Sequence, residues 1–110
     1  SRIIYAESGN QPLDGKIAVG NVVLNRVASP RFPNSVYEVI FQRNQFTPAA
    51  NGSINRTPSA ESVVAAKLCL DGANTAGSAL YFVNPTVAPG SWASRNRPYV
   101  ATIGAHAFYG

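Results

Sequence analysis

The hydrophobic positions predict helices in the first part of the chain. Between residues 16 and 27 valines recur at helical spacing, the other faces are also apolar, and no proline interrupts the run. Because strands rarely reach a dozen residues, this segment is predicted to be a buried central helix rather than a strand. Asp14 is placed to be its N-cap. A shorter helix is predicted over residues 2–8, ending at Gly9.

Turn-forming residues predict a short helix and then a loop. After a break that contains prolines, Asn34 or Ser35 is expected to cap a short helix that runs to Phe41. Residues 44–57 are rich in Asn, Gly, Ser and Pro. They are therefore predicted to form a loop with one apolar insertion, Phe46.

The last part of the chain changes from helices to strands. Thr57 and Pro58 are typical of an N-cap and a first helical residue, and the helix they open is predicted to stop at Gly72. A strand is predicted over residues 79–83, and two more around a glycine turn within residues 99–109. Helices first and strands last is the order of an α+β fold, not of alternating βαβ units.

The composition limits the kind of protein this is. A chain of 110 residues is the size of one domain, and 45% hydrophobic with 13% charged residues excludes a disordered chain. No apolar run approaches the roughly 20 residues that cross a bilayer. Cys69 is the only cysteine, so it cannot form an intrachain disulfide. Because the chain opens inside a predicted helix without a cap, we expect residues 1–110 to be a single domain excised from a longer protein.

The formal net charge of +4 comes from basic residues that are scattered along the chain. A nucleic-acid-binding protein usually concentrates its basic residues in one patch or stripe, so nucleic acid is not expected to be a partner. A mild positive field instead fits a polyanionic partner such as a bacterial cell wall.

Glu7 is the first candidate for chemistry. It follows Ile3 by one turn on the same helix face, beside residues predicted to enter the core. It also lies at the helix C-terminus, where the macrodipole disfavours a negative charge. Apolar surroundings and the dipole would both raise the pKa of a carboxyl group. The alternative is a solvated glutamate at a frayed helix end.

No second catalytic carboxylate stands out beside Glu7. The other acidic residues occupy predicted cap positions or exposed helix faces: Asp14, Glu38, Glu61 and Asp71. Cys69 lies in the interior of a predicted helix, where a buried structural thiol is commoner than a reactive one. With a single histidine, a histidine-based metal site is excluded, and neither a metal nor a cofactor is expected.

His106 and Trp92 each have two interpretations. His106 lies between two alanines in a predicted strand, and we favour a structural role over a position facing a cleft. Trp92 lies in a predicted loop among polar residues. Such a tryptophan is either a surface on which a sugar stacks or an anchor that packs the loop.

Five blocks of residues follow one another along the chain. They are RIIYAE at 2–7 with GKIAV at 15–19 and VLNRV at 23–27, then FPNSVY at 32–37, QFT at 45–47, ALYF at 79–82 with NP at 84–85, and IGxHxFY at 103–109. In this order and at this spacing, the blocks resemble the cell wall hydrolase family of spore-cortex-lytic enzymes, of the SleB and CwlJ type. The resemblance covers essentially the whole chain.

The resemblance implies an α+β, lysozyme-like fold similar to goose-type lysozyme and resuscitation-promoting factors. Enzymes of this kind cut peptidoglycan glycan strands between N-acetylmuramic acid and N-acetylglucosamine. Glu7 then corresponds to the glutamate that acts as general acid and base. Lytic transglycosylases of this group leave a 1,6-anhydromuramic end. Ser8, Gly9 and Asn10 depart from the residues that relatives more often carry, which bears on substrate preference and not on class.

The resemblance also implies a substrate groove, an extracytoplasmic location in the cell wall or spore cortex, and a monomer. The residues expected in or beside the groove are Gln45, Phe46, Thr47, Tyr81, Phe82, Asn84, Trp92 and His106. Two alternatives remain open. One is a hydrolytic muramidase in which Asp14 or a water network serves as base, and the other is a noncatalytic wall-binding module.

Overall fold

The valine-rich segment forms the long central helix that the sequence predicts. A computed structural model describes residues 1–43 and 45–110, which form six α-helices, a 3₁₀ turn and three strands. The helices are α1 Arg2–Ser8, α2 Leu13–Ala28, α3 Val36–Ile40, α4 Thr47–Asn51, α5 Ala60–Leu70 and α6 Trp92–Asn96; the 3₁₀ turn is Ser53–Asn55; the strands are β1 Tyr81–Val83, β2 Tyr99–Ile103 and β3 His106–Tyr109.

Helix α2 is the centre of the molecule. Its valines 19, 22 and 23 are buried, and α1, α3, α5 and the strands β1 and β2 all pack against it. Phe108 of β3 is fully buried on the sheet side of the same core. The helix is apolar nearly all round because it is covered on nearly every side, as the sequence predicts.

The three strands form one antiparallel sheet in the order β1-β3-β2. Phe82 faces Phe108 in the first pair, and Thr102 faces Ala107 in the second. The predicted hairpin and the α+β order are confirmed. The hairpin turn is tied to the α1–α2 connection, because the backbone N–H of Ala105 donates to Oε1 of Gln11 at 2.8 Å.

The structure corrects two predicted N-caps and decides between the two candidates for a third. Helix α2 begins at Leu13 with Pro12 as its N-cap residue, so the prediction that Asp14 is the cap is wrong; Asp14 lies in the first turn, where its charge is favourable to the dipole. Ser59, not Thr57, caps α5, because its Oγ accepts from the N–H of Ser62. Ser35 is the cap of α3.

Two segments predicted to be loops contain short helices. Of residues 44–57, Asn44 lies outside the described residues, while α4 and the 3₁₀ turn occupy much of the remainder. The buried side chains of Phe46 and Ile54 hold them against the core, and Gly52 ends α4 at φ 81°. Trp92 opens α6 rather than lying in a loop, since Ser91 caps that helix. These helices depend on tertiary contacts, because one turn is not stable alone.

Among the described residues, no helix has both the length and the apolar character needed to cross a bilayer.

Gly20 marks a close approach between α2 and α5, and this approach generates a stability prediction. A methyl group at position 20 would lie 2.6 Å from Sγ of Cys69 and 3.1 Å from Cδ1 of Ile4. Gly20→Ala is therefore expected to lower the free energy of unfolding by about 1–2 kcal/mol, although alanine favours helices by up to ~1 kcal/mol over glycine. Urea unfolding measures this.

The double variant Gly20→Ala/Cys69→Ala separates the clash from other effects. Removing the sulfur gives the new methyl group room, so the double variant is expected to be more stable than the sum of the two single changes predicts. If Gly20→Ala is as stable as the wild type, the two helices do not approach as closely as described here.

Candidate active site

Glu7 lies in the last turn of α1, where a core face meets an open surface. Ile3 and Ile4, one turn earlier, are buried, and Oγ of Ser8 donates to the carbonyl of Ile4 at 2.7 Å. Glu7 itself is half-buried. Burial raises the pKa of its carboxyl group above the ordinary glutamate value of 4.5. No ion pair in residues 1–43 and 45–110 stabilises the ionised form of Glu7.

Glu7 lines a shallow depression in the surface. The other residues that line it are Tyr5, Ala6, Gly9, Asn10 and Arg56. Tyr5 is half-buried, and the guanidinium carbon of Arg56 lies 5.1 Å from the centre of its ring. A carboxyl group that readily holds its proton is thus placed beside space that a ligand can enter, which is the arrangement a general acid requires.

Short segments from other parts of the chain pack against α1 and the connection that follows it. Helix α4, which begins at the exposed Thr47, packs against α1, and so does the 3₁₀ turn. The hairpin turn is held by Gln11, whose own N–H donates to the carbonyl of Ser8. The tertiary structure therefore brings the QFT block and the hairpin turn to the helix that carries Glu7.

Most of the predicted groove residues are aromatic and form two groups of ring contacts at the sheet, which the guanidinium group of Arg26 joins. The ring of Phe82 lies 5.3 Å from that of His106 and 6.3 Å from that of Phe46, while the ring of Tyr81 lies 5.5 Å from that of Trp92. We call Phe46, Tyr81, Phe82, Trp92 and His106 the aromatic cluster. None of these residues lines the depression at Glu7.

These residues differ in how much surface they offer. Trp92 is 55% exposed, and Tyr81 and Phe82 are half-buried. Phe46 is only 4% exposed, so the structure places it in the core, where it supports Phe82 rather than forming a surface. His106 is buried as well, at 7% exposed.

The polar predicted residues also differ. Gln45 and Thr47 are exposed. Asn84 is half-buried, and its Oδ1 accepts from the backbone N–H groups of Thr86 and Val87, so this oxygen already serves the turn after β1. Its side-chain NH2 group is the part left to donate to another partner.

His106 has one feature that its core position does not explain. Its Nδ1 is buried without a hydrogen-bond partner among the described residues. Burial lowers the pKa of the imidazole below 6.5, so His106 is neutral at pH 7. The rings of Phe82 and Phe108 pack against it edge-on.

Arg26 is a site residue that the sequence analysis did not identify. It is buried at 4% exposed, Nε donates to the carbonyl of Leu80 at 2.7 Å, and Nη1 donates to Oε1 of Gln45 at 3.1 Å. Its guanidinium carbon lies within 5.4 Å of the rings of Phe32, Phe46 and Tyr81. Burial lowers its pKa. The helical spacing of the sequence could have identified it, because position 26 continues the stripe of Val19, Val22 and Val23, which is buried.

The other chemical candidates are accounted for by structural roles or by exposure. Cys69 is buried in the core, and burial raises the pKa of its thiol, which disfavours the thiolate a nucleophile needs. Glu61 pairs with the buried Lys16 at 2.7 Å, while Glu38 accepts from Oγ of Ser35. Asp14 is exposed. In the described part of the chain, no group of three His, Cys, Asp or Glu side chains could hold a metal ion.

Comparisons with known proteins match nearly the whole chain. A family model described as Cell Wall Hydrolase matches residues 10–109, a range that begins just after Glu7. Spore cortex-lytic enzymes of Bacillus cereus and Bacillus subtilis are 41% and 37% identical, over 96% and 98% of this chain. The chain spans 40% and 35% of the length of these two curated relatives.

Two solved structures share the fold. The catalytic domain of the germination-specific lytic transglycosylase SleB from Bacillus anthracis superposes with a TM-score of 0.91 at 39% identity, covering 99% of this chain and 88% of that one. The catalytic domain of the Bacillus cereus SleB protein gives a TM-score of 0.89 at 39% identity, covering 99% and 84%. The helices and the small C-terminal sheet are therefore those of this catalytic domain.

Because Glu7 is half-buried, its ionised form is expected to lower the free energy of unfolding. Because the folded-state pKa is raised, the folded chain holds this proton more tightly than the unfolded chain, and stability falls as the pH rises from 4.5 through the folded-state pKa. Glu7→Gln is expected to raise the free energy of unfolding at pH 7, and the gain is expected to disappear below 4.5. Urea unfolding at both pH values measures this.

Glu38→Gln is the matched control, since Glu38 is exposed and is not expected to gain stability on neutralisation at pH 7. Equal effects of the two substitutions on the free energy of unfolding would show that burial does not destabilise the ionised form of Glu7.

Proposed function

Because this chain belongs to the cell wall hydrolase family, we propose that it cleaves the glycan strand of bacterial peptidoglycan as a lytic transglycosylase. The observation that carries the proposal is Glu7: a half-buried carboxyl group with a raised pKa, outside any described ion pair, facing an open depression. The bond cut is the one between N-acetylmuramic acid and N-acetylglucosamine. The similarity to spore cortex-lytic enzymes and to SleB supports this substrate.

The same relatives support the cortex of the bacterial spore as the site of action, during germination, in an extracytoplasmic compartment. Residues 1–110 constitute one catalytic domain in this proposal, and it acts as a monomer on glycan strands, not on nucleic acid. The net charge of +4 favours association with an anionic wall.

The mechanism uses Glu7 twice. The protonated carboxyl group donates its proton to the glycosidic oxygen as the bond from this oxygen to C1 of the muramic residue breaks. Positive charge develops at C1 in an oxocarbenium-like transition state. The carboxylate of Glu7 then accepts the proton of the C6 hydroxyl group of the same sugar, whose oxygen bonds to C1. The products are a 1,6-anhydromuramic end and a free 4-hydroxyl group, and Glu7 is protonated again.

The lack of a second carboxylate beside Glu7 favours this internal route over hydrolysis. Glycosidases that hydrolyse usually hold two carboxyl groups about 5–9.5 Å apart across the bond. Neither Asp14, Glu38, Glu61 nor Asp71 lines the depression at Glu7. Attack by the C6 hydroxyl group needs neither an enzyme nucleophile nor a positioned water molecule.

The surrounding residues would bind the strand. Exposed Thr47 and the Arg26-anchored Gln45 offer groups that hydrogen-bond to sugar hydroxyl and N-acetyl groups. Trp92 and Tyr81 offer aromatic surface for sugar rings. Phe82 and His106 pack together on the opposite face of the sheet from Tyr81, and Asn84 follows β1, so in this proposal these three residues contribute beside the aromatic surface. Phe46 acts from the core by supporting Phe82.

Glu7→Gln is expected to lower the rate of fragment release from purified cortex and vegetative peptidoglycan by roughly 10²–10⁴-fold, because it removes both the acid and the base. Mass spectrometry of the soluble fragments of the wild type is expected to show 1,6-anhydromuramic ends. Asp14→Asn is the control and is expected to keep near wild-type activity, since Asp14 is exposed and outside the depression.

Each of the other possible results supports a different function. A Glu7→Gln variant that still cleaves would remove Glu7 from the chemistry. Reducing ends in the products, with loss of activity in Asp14→Asn, would establish a hydrolytic muramidase. No fragments from either wall would establish a noncatalytic wall-binding module.

The pH dependence of kcat/KM tests the role of Glu7 as an acid. The free enzyme must hold the proton in order to donate it, so kcat/KM on soluble strands is expected to fall as the pH rises through the folded-state pKa of Glu7. Because burial raises this pKa, the decline is expected above 4.5. A decline centred at or below 4.5 would contradict the assignment.

A further inference from the structure

We propose that Arg56 is a specificity-determining residue that binds a carboxylate carried by the muramic residue of the strand, next to Glu7. The inference rests on the proposed function and deepens it. It starts from the position of Arg56, which is exposed and lines the same depression as the carboxyl group of Glu7.

The guanidinium group of Arg56 is held in place by two contacts. Nε donates to the carbonyl of Ser53 at 3.1 Å, and the guanidinium carbon lies 5.1 Å from the ring centre of Tyr5. Side-chain entropy opposes holding an exposed arginine in one place, and these two contacts act against it. The ring and the carbonyl therefore pre-organise the charged group at the edge of the depression.

These contacts leave the two terminal nitrogens, Nη1 and Nη2, without an acceptor in the described part of the chain. No acidic side chain of that part forms an ion pair with Arg56. The terminal nitrogens form a planar fork whose geometry matches the two oxygens of a carboxylate. The fork is thus ready for an anionic partner that the protein itself does not supply.

Glu7 is not that partner. No ion pair joins the two side chains in the described part of the chain, and burial is the cause of the raised pKa of Glu7. This separation suits the proposed chemistry, because a cation paired with Glu7 would favour its ionised form and weaken it as an acid. The positive charge is available to a ligand while Glu7 keeps its proton.

The chemistry of the strand identifies the ligand group. N-acetylglucosamine is neutral, whereas muramic acid carries a lactyl group that ends either in a free carboxylate or in a peptide stem with carboxylates of its own. A carboxylate bound at Arg56 therefore distinguishes the muramic residue from its neighbour, and it would place the bond at C1 of that residue beside Glu7.

Three forms of the glycan strand test the proposal. The first retains its peptide stems, the second has had them removed by an amidase so that the lactyl carboxylates are free, and the third is the second after its carboxylates have been coupled to methylamine. Arg56→Gln is expected to lower kcat/KM by about 5–20-fold on a carboxylate-bearing strand and to leave the neutral strand unchanged. Arg56→Lys is expected to recover only part of the loss, since lysine lacks the planar fork.

The pattern across the substrates identifies the source of the carboxylate. A loss confined to the second strand assigns the lactyl carboxylate, and a loss confined to the first assigns the stem. Lys67→Gln removes the same charge from an exposed position on α5, outside the depression, and is expected to change none of the three rates. Equal losses on all three strands, or none, would overturn the proposal.

Binding measurements keep this result independent of catalysis. In the Glu7→Gln background, titration calorimetry with the second and third strands is expected to show that Arg56→Gln weakens binding of the charged strand about 5–20-fold and does not weaken binding of the neutral one. If the wild type releases no fragments, the transglycosylase proposal fails, while the ratio of dissociation constants still decides the role of Arg56.

Discussion

The buried guanidinium of Arg26 holds together the side of the molecule on which the aromatic cluster lies. One end of it binds the carbonyl of Leu80, just before β1, and the other binds the side chain of Gln45. Aromatic rings cover its faces. A buried charge is tolerated only when its hydrogen bonds are made. Breaking the bond of Arg26 to Leu80 or to Gln45 would therefore be energetically costly, and both segments are fixed relative to α2. The position of Tyr81 and Gln45 follows from that constraint.

Other buried polar side chains of α2 also hold neighbouring segments by hydrogen bonds. Near its start, Nζ of Lys16 donates to the carbonyl of Gln11 and to Glu61. In its middle, Nδ2 of Asn21 donates to the carbonyl of Ala73, and its Oδ1 accepts from the N–H of Thr75. The apolar residues of the helix form the core, and its few buried polar residues hold irregular segments by their backbone groups. One helix thus supplies both the packing energy and the placement of the loops around the site.

Glu7 illustrates the opposite relation between burial and stability. Lys16 and Arg26 are buried with partners, whereas the carboxyl group of Glu7 is half-buried and makes no ion pair in the described residues. Its raised pKa is the physical sign of that cost and also the property a general acid needs near neutral pH. Arg56 lines the same depression but is anchored on Tyr5 and Ser53, so a positive charge lies near Glu7 without forming an ion pair with it in the described residues.

The sequence by itself determined the order of helices and strands, the buried character of α2, the hairpin, and Glu7 at the end of α1. Each depends on local signals, namely periodicity, turns and the position of one residue in a helix. Only the tertiary structure decided that α4 and α6 are helices, that Arg26 joins the aromatic cluster, that Phe46 is in the core, and that Arg56 lies beside Glu7. These outcomes depend on contacts between residues far apart in the chain, and periodicity carries no information about which distant side chains will meet.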